Sequence, residues 1–151
     1  MAATIHPLFQ SRASIRITLF HATGSVRNPM ADITSSSFVL AVRDLDASRR
    51  FYVEKLGFTE TLSVDGWSFL ERGACELRLG YCPDIVPIAQ CDEHAWFASL
   101  QVTDAAALHA EYLAAAVPIW HPLADKPWGF REFGVVTPDG HKILFAEDLD
   151  P

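Results

Sequence analysis

The stretch Phe38-Val39-Leu40-Ala41-Val42-Arg43-Asp44 decides the fold, because its pattern returns later in the chain. The second copy runs from Trp96 to Asp104 and reads Trp-Phe-Ala-Ser-Leu-Gln-Val-Thr-Asp. A short apolar run favours a strand. The Asp that ends each stretch stands where a helix N-cap is expected, since its side chain can accept a free backbone N–H. The chain therefore contains two similar halves.

Each half continues in the same order after its Asp. Apolar residues recur at helical spacing, and Gly57 follows the first helix as a C′ residue. Three strand-like runs then follow each helix, and turns such as Asp65-Gly66 separate them. Each half thus predicts the order βαβββ, in the α+β class. The predicted strands are Phe38 to Val42, Phe58 to Val64, Trp67 to Arg72, Cys75 to Tyr81, Trp96 to Val102, Pro118 to His121, Phe130 to Val136 and His141 to Glu147.

Composition limits the class of protein. The chain has 151 residues, of which 50% are hydrophobic and 21% charged, as expected for one globular domain. Its net charge of -7 argues against a general nucleic-acid binder, which needs clustered Lys and Arg. No apolar run approaches the roughly 20 residues of a membrane span. Cys75, Cys82 and Cys91 form no CxxC pair, which favours a reducing cytoplasmic setting over a disulfide framework or a zinc site.

The N-terminal residues 1–29 differ from the rest, because they contain Arg12, Arg16 and Arg27 and no acidic residue. Three interpretations stay open: an upstream-start artefact or expression leader, a targeting peptide, or an extra strand over residues 15–20. We expect the domain itself to span residues 30–151. Within it, module one covers 33–82, a proline-containing linker covers 83–93, and module two covers 94–148.

These motifs resemble a known family. The first half, with Phe51-Tyr52 and Leu56-Gly57-Phe58, resembles the first module of the vicinal-oxygen-chelate superfamily, which includes glyoxalase I, extradiol dioxygenases and bleomycin-resistance proteins. The second half, with Pro127-Trp128-Gly129, Arg131-Glu132-Phe133 and Pro138-Asp139-Gly140, is most similar to the bleomycin-resistance branch. The resemblance covers about residues 33–150. It implies paired βαβββ modules that form an open β-barrel cleft.

Enzymes of this superfamily hold a metal on four inward positions, usually with His or Gln, Glu, His and Glu. Carried over residue by residue, these positions fall on Ser37, Glu76, Phe97 and Leu144. One carboxylate cannot hold a catalytic divalent ion, which needs about three protein ligands. Shifting the strands of Phe97 and Leu144 by one residue supplies no better ligand. We therefore expect no metal, no cofactor and no catalytic residue.

Without a metal, the predicted cleft combines aromatic walls with an acidic group, a combination that suits a flat cationic molecule. The resemblance then implies a metal-free protein that sequesters a cationic or aromatic compound, with glycopeptide antibiotics of the bleomycin type as the family example. The branch is typically homodimeric, although an exchanged N-terminal arm is in doubt because Phe38 replaces the family's proline. The predicted ligand-binding residues are Ser37, Trp67, Phe69, Glu76, Phe97, Trp128, Phe130, Arg131, Phe133 and Leu144.

Two other functions stay open at this point. One is a metal-dependent glyoxalase- or dioxygenase-like enzyme with atypical ligands. The other is an interaction module that uses only the fold. The predicted aromatic residues also have a plainer interpretation: Phe69 and Phe133 alternate on strands and suit an ordinary core, and Trp96 and Trp120 suit a core or a dimer interface.

Overall fold

A computed structural model describes residues 34–88, 90 and 95–150 of the chain. The N-terminal segment 1–29, Cys91 and His94 lie outside the described residues. The first helix, Leu45–Arg50, continues directly into a wider π-helical stretch, Phe51–Lys55. The elements in order are β1 Phe38–Val42, α1 Leu45–Arg50, β2 Thr59–Val64, β3 Trp67–Arg72, β4 Cys75–Tyr81, β5 Trp96–Gln101, α2 Ala105–Ala114, β6 Ile119–Asp125, β7 Phe130–Val136 and β8 Lys142–Asp148.

The eight strands form two four-stranded sheets with the same topology. The strand order is β1-β4-β3-β2 in the first sheet and β5-β8-β7-β6 in the second. In each sheet the first and last strands of the module pair in parallel, and the other pairs are antiparallel. This arrangement confirms the predicted α+β class and the repeated βαβββ order.

Both predicted helix caps are present. The Asp44 carboxylate accepts the backbone N–H of Ala47 at 2.9 Å, and the Asp104 carboxylate accepts that of Ala107 at 2.8 Å. Each bond satisfies one of the N–H groups that a helix start leaves without an intrahelical partner. Gly57 follows the first helix with φ +68°, a left-handed conformation that glycine adopts without strain.

One strand boundary differs from the prediction by more than one residue. β6 runs through Pro122 to Asp125 instead of ending at His121. It is an edge strand, and its pairing with β7 shifts between Ile119 and His121 and again between His121 and Ala124. Proline is tolerated at such a place, because an edge strand with bulges does not require every N–H in the ladder.

A single core joins the two modules. α1 packs on β3 and β4, and α2 packs on β6, β7 and β8, so each sheet buries one face. Tyr52 and Tyr112, the equivalent tyrosines of the two helical segments, are both fully buried. The core residues buried together are Leu40, Val42, Phe51, Tyr52, Leu56, Phe58, Leu70, Leu77, Leu79, Ala105, Tyr112, Val117, Phe133, Val135, Ile143 and Phe145.

Polar contacts connect each module to the helix of the other. Asp139, in the turn before β8, accepts the Ser48 hydroxyl at 2.5 Å and the Arg43 backbone N–H at 3.2 Å.

In the reciprocal contact, Arg72 at the end of β3 donates to the Tyr112 hydroxyl at 2.9 Å and to the Leu56 carbonyl. The two βαβββ units are therefore held together by hydrogen bonds as well as by the shared core.

None of the described helices is long and apolar enough to cross a lipid bilayer.

We expect Asp139→Ala to lower the free energy of unfolding by about 2 kcal/mol, because it leaves the buried Ser48 hydroxyl without its charged acceptor. Urea denaturation measures this change. Asp84→Ala is the matched control: Asp84 is exposed and should change stability by less than about 0.5 kcal/mol. Equal effects of the two substitutions would contradict the proposed role of Asp139.

His141 gives the fold an acid-sensitive group. Burial lowers the pKa of its imidazole, and the negative charge of Asp139 offsets this only in part. The unfolded chain therefore binds the proton more readily than the folded protein, so stability is retained above pH 6.5 and falls as the pH drops below it. We expect His141→Gln to flatten this loss in urea denaturation between pH 7.5 and roughly pH 5. An unchanged pH slope would assign the acid sensitivity to other groups.

Candidate functional site

Each sheet leaves the face opposite its helix open. Side chains alternate between the two faces along a strand, so the register identifies which residues share the open one. In the first sheet, Trp67 is paired with Gly80, and the next open-face pair along these strands is Phe69 with Arg78. On the neighbouring strands, Val64 lies beside Trp67 and Val39 lies beside Arg78.

The open face of the first sheet contains a shallow hollow of about 240 Å³. Trp67 covers Gly80 so closely that a Cβ built on this glycine would lie 2.9 Å from the indole ring. Gly80 thus lets the indole lie against the backbone of the next strand. The hollow is lined by Val39, Val64, Trp67, Phe69 and Arg78.

The second sheet repeats this arrangement with different residues. Trp120 of β6 covers Gly134 of β7, and a Cβ on Gly134 would lie 2.5 Å from the indole nitrogen. Trp96 of β5 lies next to Trp120, with ring centroids 5.7 Å apart. The Nζ atom of Lys142 lies 4.9 Å from the centroid of the Trp120 ring. The face therefore carries two adjacent indoles beside a cation.

Trp128 stands at the edge of this second face, in the turn before β7. Its indole N–H donates to the carboxylate of Glu132 at 3.0 Å, which fixes the orientation of the ring. The Nζ atom of Lys126 lies 5.9 Å from the Trp128 ring centroid and 2.7 Å from Nε2 of His121. The Pro-Trp-Gly turn therefore presents an exposed indole whose N–H edge is hydrogen-bonded to Glu132.

All four tryptophans of the chain lie on the open faces or at their edge, and none belongs to the helix-covered core. Trp67 is 41% exposed, Trp96 59% and Trp128 63%. Tryptophan buries more apolar area than most residues, so its concentration on uncovered surface indicates a surface that contacts something else.

The structure brings six of the ten sequence-predicted residues to the open faces. Trp67, Phe69 and Glu76 lie on the first sheet, and Phe130 and Leu144 lie on the second, with Trp128 at its edge. Ser37 lies immediately before β1 and is partly exposed.

The other three predicted residues lie elsewhere. Arg131 forms a two-bond ion pair with Asp125, at 2.6 and 3.1 Å, on the helix side of the second sheet. Phe133 is fully buried and stacks on Phe145 with centroids 5.2 Å apart. Phe97 packs edge-on against Phe38 and His141.

The ligand-binding residues expected from the sequence did not include Trp96, Trp120 and Arg78, which the structure places on these faces. Strand alternation puts Arg78 on the same face as Glu76, two residues earlier. Trp120 could not be assigned this way, because the two register shifts of β6 interrupt the alternation.

The family's metal positions do not fit a metal in this chain. The Phe97 ring supplies no donor atom and is packed against other rings, and Leu144 is aliphatic. Among the described residues, no three His, Cys, Asp or Glu side chains come together as a metal-binding group. No step of a metal-dependent reaction can therefore be derived from these four positions.

A larger cavity, of about 940 Å³, lies between the modules beside α2, and the predicted residue Glu76 contributes to its lining. Core residues such as Phe58, Tyr112 and Phe145 line it, and no tryptophan does. Its cation, Arg72, already bonds to Tyr112 and to the Leu56 carbonyl. We therefore assign the candidate ligand site to the open faces, where the exposed indoles lie.

Comparison with known proteins identifies a family model that matches most of the chain. A sequence model described as the Glyoxalase/Bleomycin resistance protein/Dioxygenase superfamily matches residues 34–145. A comparison with curated protein sequences gives no match.

Several solved structures are similar. The bleomycin-binding protein of bleomycin-producing Streptomyces verticillus, complexed with copper(II)-bleomycin, is 27% identical, with a TM-score of 0.61 over 77% of this chain and 97% of that one. A bleomycin resistance determinant encoded on transposon Tn5 is 25% identical, with a TM-score of 0.65 over 77% and 98%. TnmS3, an antibiotic binding protein from Streptomyces sp. CB03234, is 25% identical, with a TM-score of 0.62 over 79% and 98%.

We expect Gly134→Ala to displace the Trp120 indole and to lower stability by about 1–3 kcal/mol, the usual cost of overpacking. In a Trp120→Ala background the same substitution should cost much less, because the clashing ring is absent. Urea denaturation of the four variants in this double-mutant cycle measures the coupling. An equal cost of Gly134→Ala in both backgrounds would show that the indole does not depend on the glycine.

Proposed function

Because this chain belongs to the Glyoxalase/Bleomycin resistance protein/Dioxygenase superfamily, we propose that it is a binding protein that sequesters a small aromatic or cationic compound. The observation that carries this proposal is the placement of all four tryptophans on the open faces of the sheets. Similar structures include a bleomycin-binding protein and an antibiotic binding protein, which supports binding of a small molecule.

The chemistry of the open faces suits a flat ligand. Each face presents indole and phenyl rings, and an aromatic contact contributes about 0.5–1.5 kcal/mol beyond the area it buries. Trp67 and Trp120 are each supported from below by a glycine backbone, so little side-chain entropy remains to be lost on binding. A planar molecule that stacks on these rings would therefore bind a surface whose side chains are already held in position.

The proposal is for sequestration without turnover. Ser37, Phe97 and Leu144 replace three of the four ligands with which the superfamily's enzymes hold their metal. Stoichiometric binding needs no reacting group on the protein, and it protects a cell by lowering the free concentration of a toxic compound. A bleomycin-type glycopeptide antibiotic is the specific ligand that we propose to test first.

We further propose that the working form is a homodimer, in the cytoplasm. The hollow on the first sheet holds about 240 Å³, less than the roughly 300–1,000 Å³ of a typical small-molecule site. A second copy placed over an open face would deepen it and cover exposed apolar residues such as Val39, Leu62 and Trp96. The free thiols of Cys75 and Cys82 suit a reducing compartment.

Titration with metal-free bleomycin, followed by tryptophan fluorescence, tests the proposed function. We expect saturable quenching at one ligand per protomer. Trp67→Ala and Trp128→Ala should each weaken binding by about tenfold, which corresponds to ~1.4 kcal/mol of lost stacking. Sedimentation in the same buffer should give the mass of two chains.

Leu113→Ala is the control for these variants. Leu113 is an exposed apolar residue of α2, on the helix side of the fold, and its loss should leave bleomycin affinity unchanged. Absence of quenching with bleomycin at high micromolar concentration would exclude this antibiotic. If a thermal-shift screen of aromatic and cationic compounds then gives no stabilised complex, sequestration itself is excluded.

A further inference from the structure

Arg78 differs from the other arginines of the described chain. Its guanidinium carbon lies 5.6 Å from the centroid of the Phe69 ring, and its side chain makes no hydrogen bond or ion pair with any described residue. Each other arginine in this part of the chain has such a partner. These paired residues are Arg43 with Pro83, Arg49 with Asp46 and Glu60, Arg50 with Asp46, Arg72 with Leu56, Tyr112 and Glu111, and Arg131 with Asp125.

The surroundings of Arg78 make this lack of a partner informative. The chain carries 19 acidic residues, and two of them, Glu71 and Glu76, lie on the same open face as a cross-strand pair. They occupy the next open-face row of these strands, beyond the Phe69–Arg78 pair. Neither forms an ion pair with Arg78, and no carboxylate among the described residues lines the hollow. The charge inside the hollow is therefore that of one guanidinium.

An arginine in this position offers a specific kind of contact. Its planar group presents five N–H donors in a fixed fork, which matches the two oxygens of a carboxylate or a similar acceptor edge. The position of the guanidinium over the Phe69 ring restricts the side chain, so less entropy is lost when a ligand engages it. A planar ring that covers the apolar side chains of Val39, Val64 and Trp67 would exclude water from one side of the contact and strengthen it.

The second open face shows the same association of ring and cation. Lys142 lies over Trp120, and Lys126 lies over Trp128. The aromatic surfaces that a ligand would meet are thus accompanied by positive charge, although the whole chain is acidic. On the first face, where no described carboxylate lines the hollow, this pattern disfavours a cationic ring system. On the second face the Glu132 carboxylate, which accepts the Trp128 N–H, offsets part of the positive charge.

We propose that Arg78 determines the class of ligand: the hollow of the first sheet takes a planar aromatic group whose acceptor edge, a carboxylate, sulfonate or phenolate, binds the Arg78 guanidinium. The inference rests on the proposed sequestering function. It narrows the expected ligand from an aromatic or cationic compound to an aromatic compound that carries a hydrogen-bond acceptor group. A cationic substituent on the same ligand would have to point away from the hollow, toward the row of Glu71 and Glu76.

A pair of probes with the same three-ring shape and opposite charge tests this inference. Acridine-9-carboxylate is an anion and 9-aminoacridine is a cation at neutral pH, and isothermal titration calorimetry measures the binding of each to the full chain. Long-range attraction by a protein of net charge -7 favours the cation. If Arg78 acts as proposed, the anion instead binds at least about tenfold tighter, a difference that local pairing must supply.

Arg78→Met separates the effect of the charge on binding from the effect of packing. Methionine keeps an apolar side chain over Phe69 but removes the guanidinium and its N–H donors. We expect it to weaken the anionic probe at least about tenfold and to leave the cationic probe unchanged or tighter. Arg78→Lys should recover only part of the anion affinity, since an ammonium lacks the planar fork. Arg50→Met, on α1, is the matched control and should alter neither affinity. Equal melting temperatures confirm that the variants are folded.

The outcomes distinguish this inference from the function on which it rests. Preference for the cationic probe, or an Arg78→Met variant that binds the anion as the native chain does, overturns the role of Arg78 while sequestration stands. If neither acridine binds, the role of Arg78 is overturned, and the proposed function falls with it only if the thermal-shift screen also gives no stabilised complex. Tighter binding of the anion that depends on Arg78 supports both.

Discussion

A four-stranded sheet that is covered by a single helix can bury only one of its two faces, and the rest of this structure depends on that constraint. α1 and α2 each cover one sheet, and the side chains below them merge into one core. The opposite faces stay uncovered in the single chain, and they hold the large aromatic residues that a core would otherwise bury. Placing tryptophan there has a cost in solubility, which the proposed ligand or second copy would offset.

The connection between the modules explains how a small chain keeps these faces uncovered and still folds. Asp139 contacts the first turns of α1, and Arg72 contacts α2 and the end of the first helix. The contacts are reciprocal: a residue in or beside the last hairpin turn of each module forms a hydrogen bond with the helical segment of the other module. The bonds lie on the helix side, so the joint between the modules leaves the open faces free for recognition.

The local chemistry of the sequence predicted most of the secondary structure, including both Asp caps and nearly every strand limit. These features depend on neighbours within a few residues: an Asp reaches an N–H three positions later, and Asp-Gly closes a two-residue turn. The prediction was wrong for the end of β6, which continues past His121 to Asp125. Pairing with β7 extends this strand, and pairing is not a local property.

For the candidate site, the sequence by itself determined the residue types: four tryptophans, a Pro-Trp-Gly turn, and aliphatic or aromatic residues where related enzymes hold a metal. Only the tertiary structure decided which face each residue occupies. It placed Phe133 in the core, paired Arg131 with Asp125, and left Arg78 on Phe69 with its donors unused. The physical reason is that strand pairing and bulges set the facing of a side chain, and this facing decides which charged groups meet across neighbouring strands.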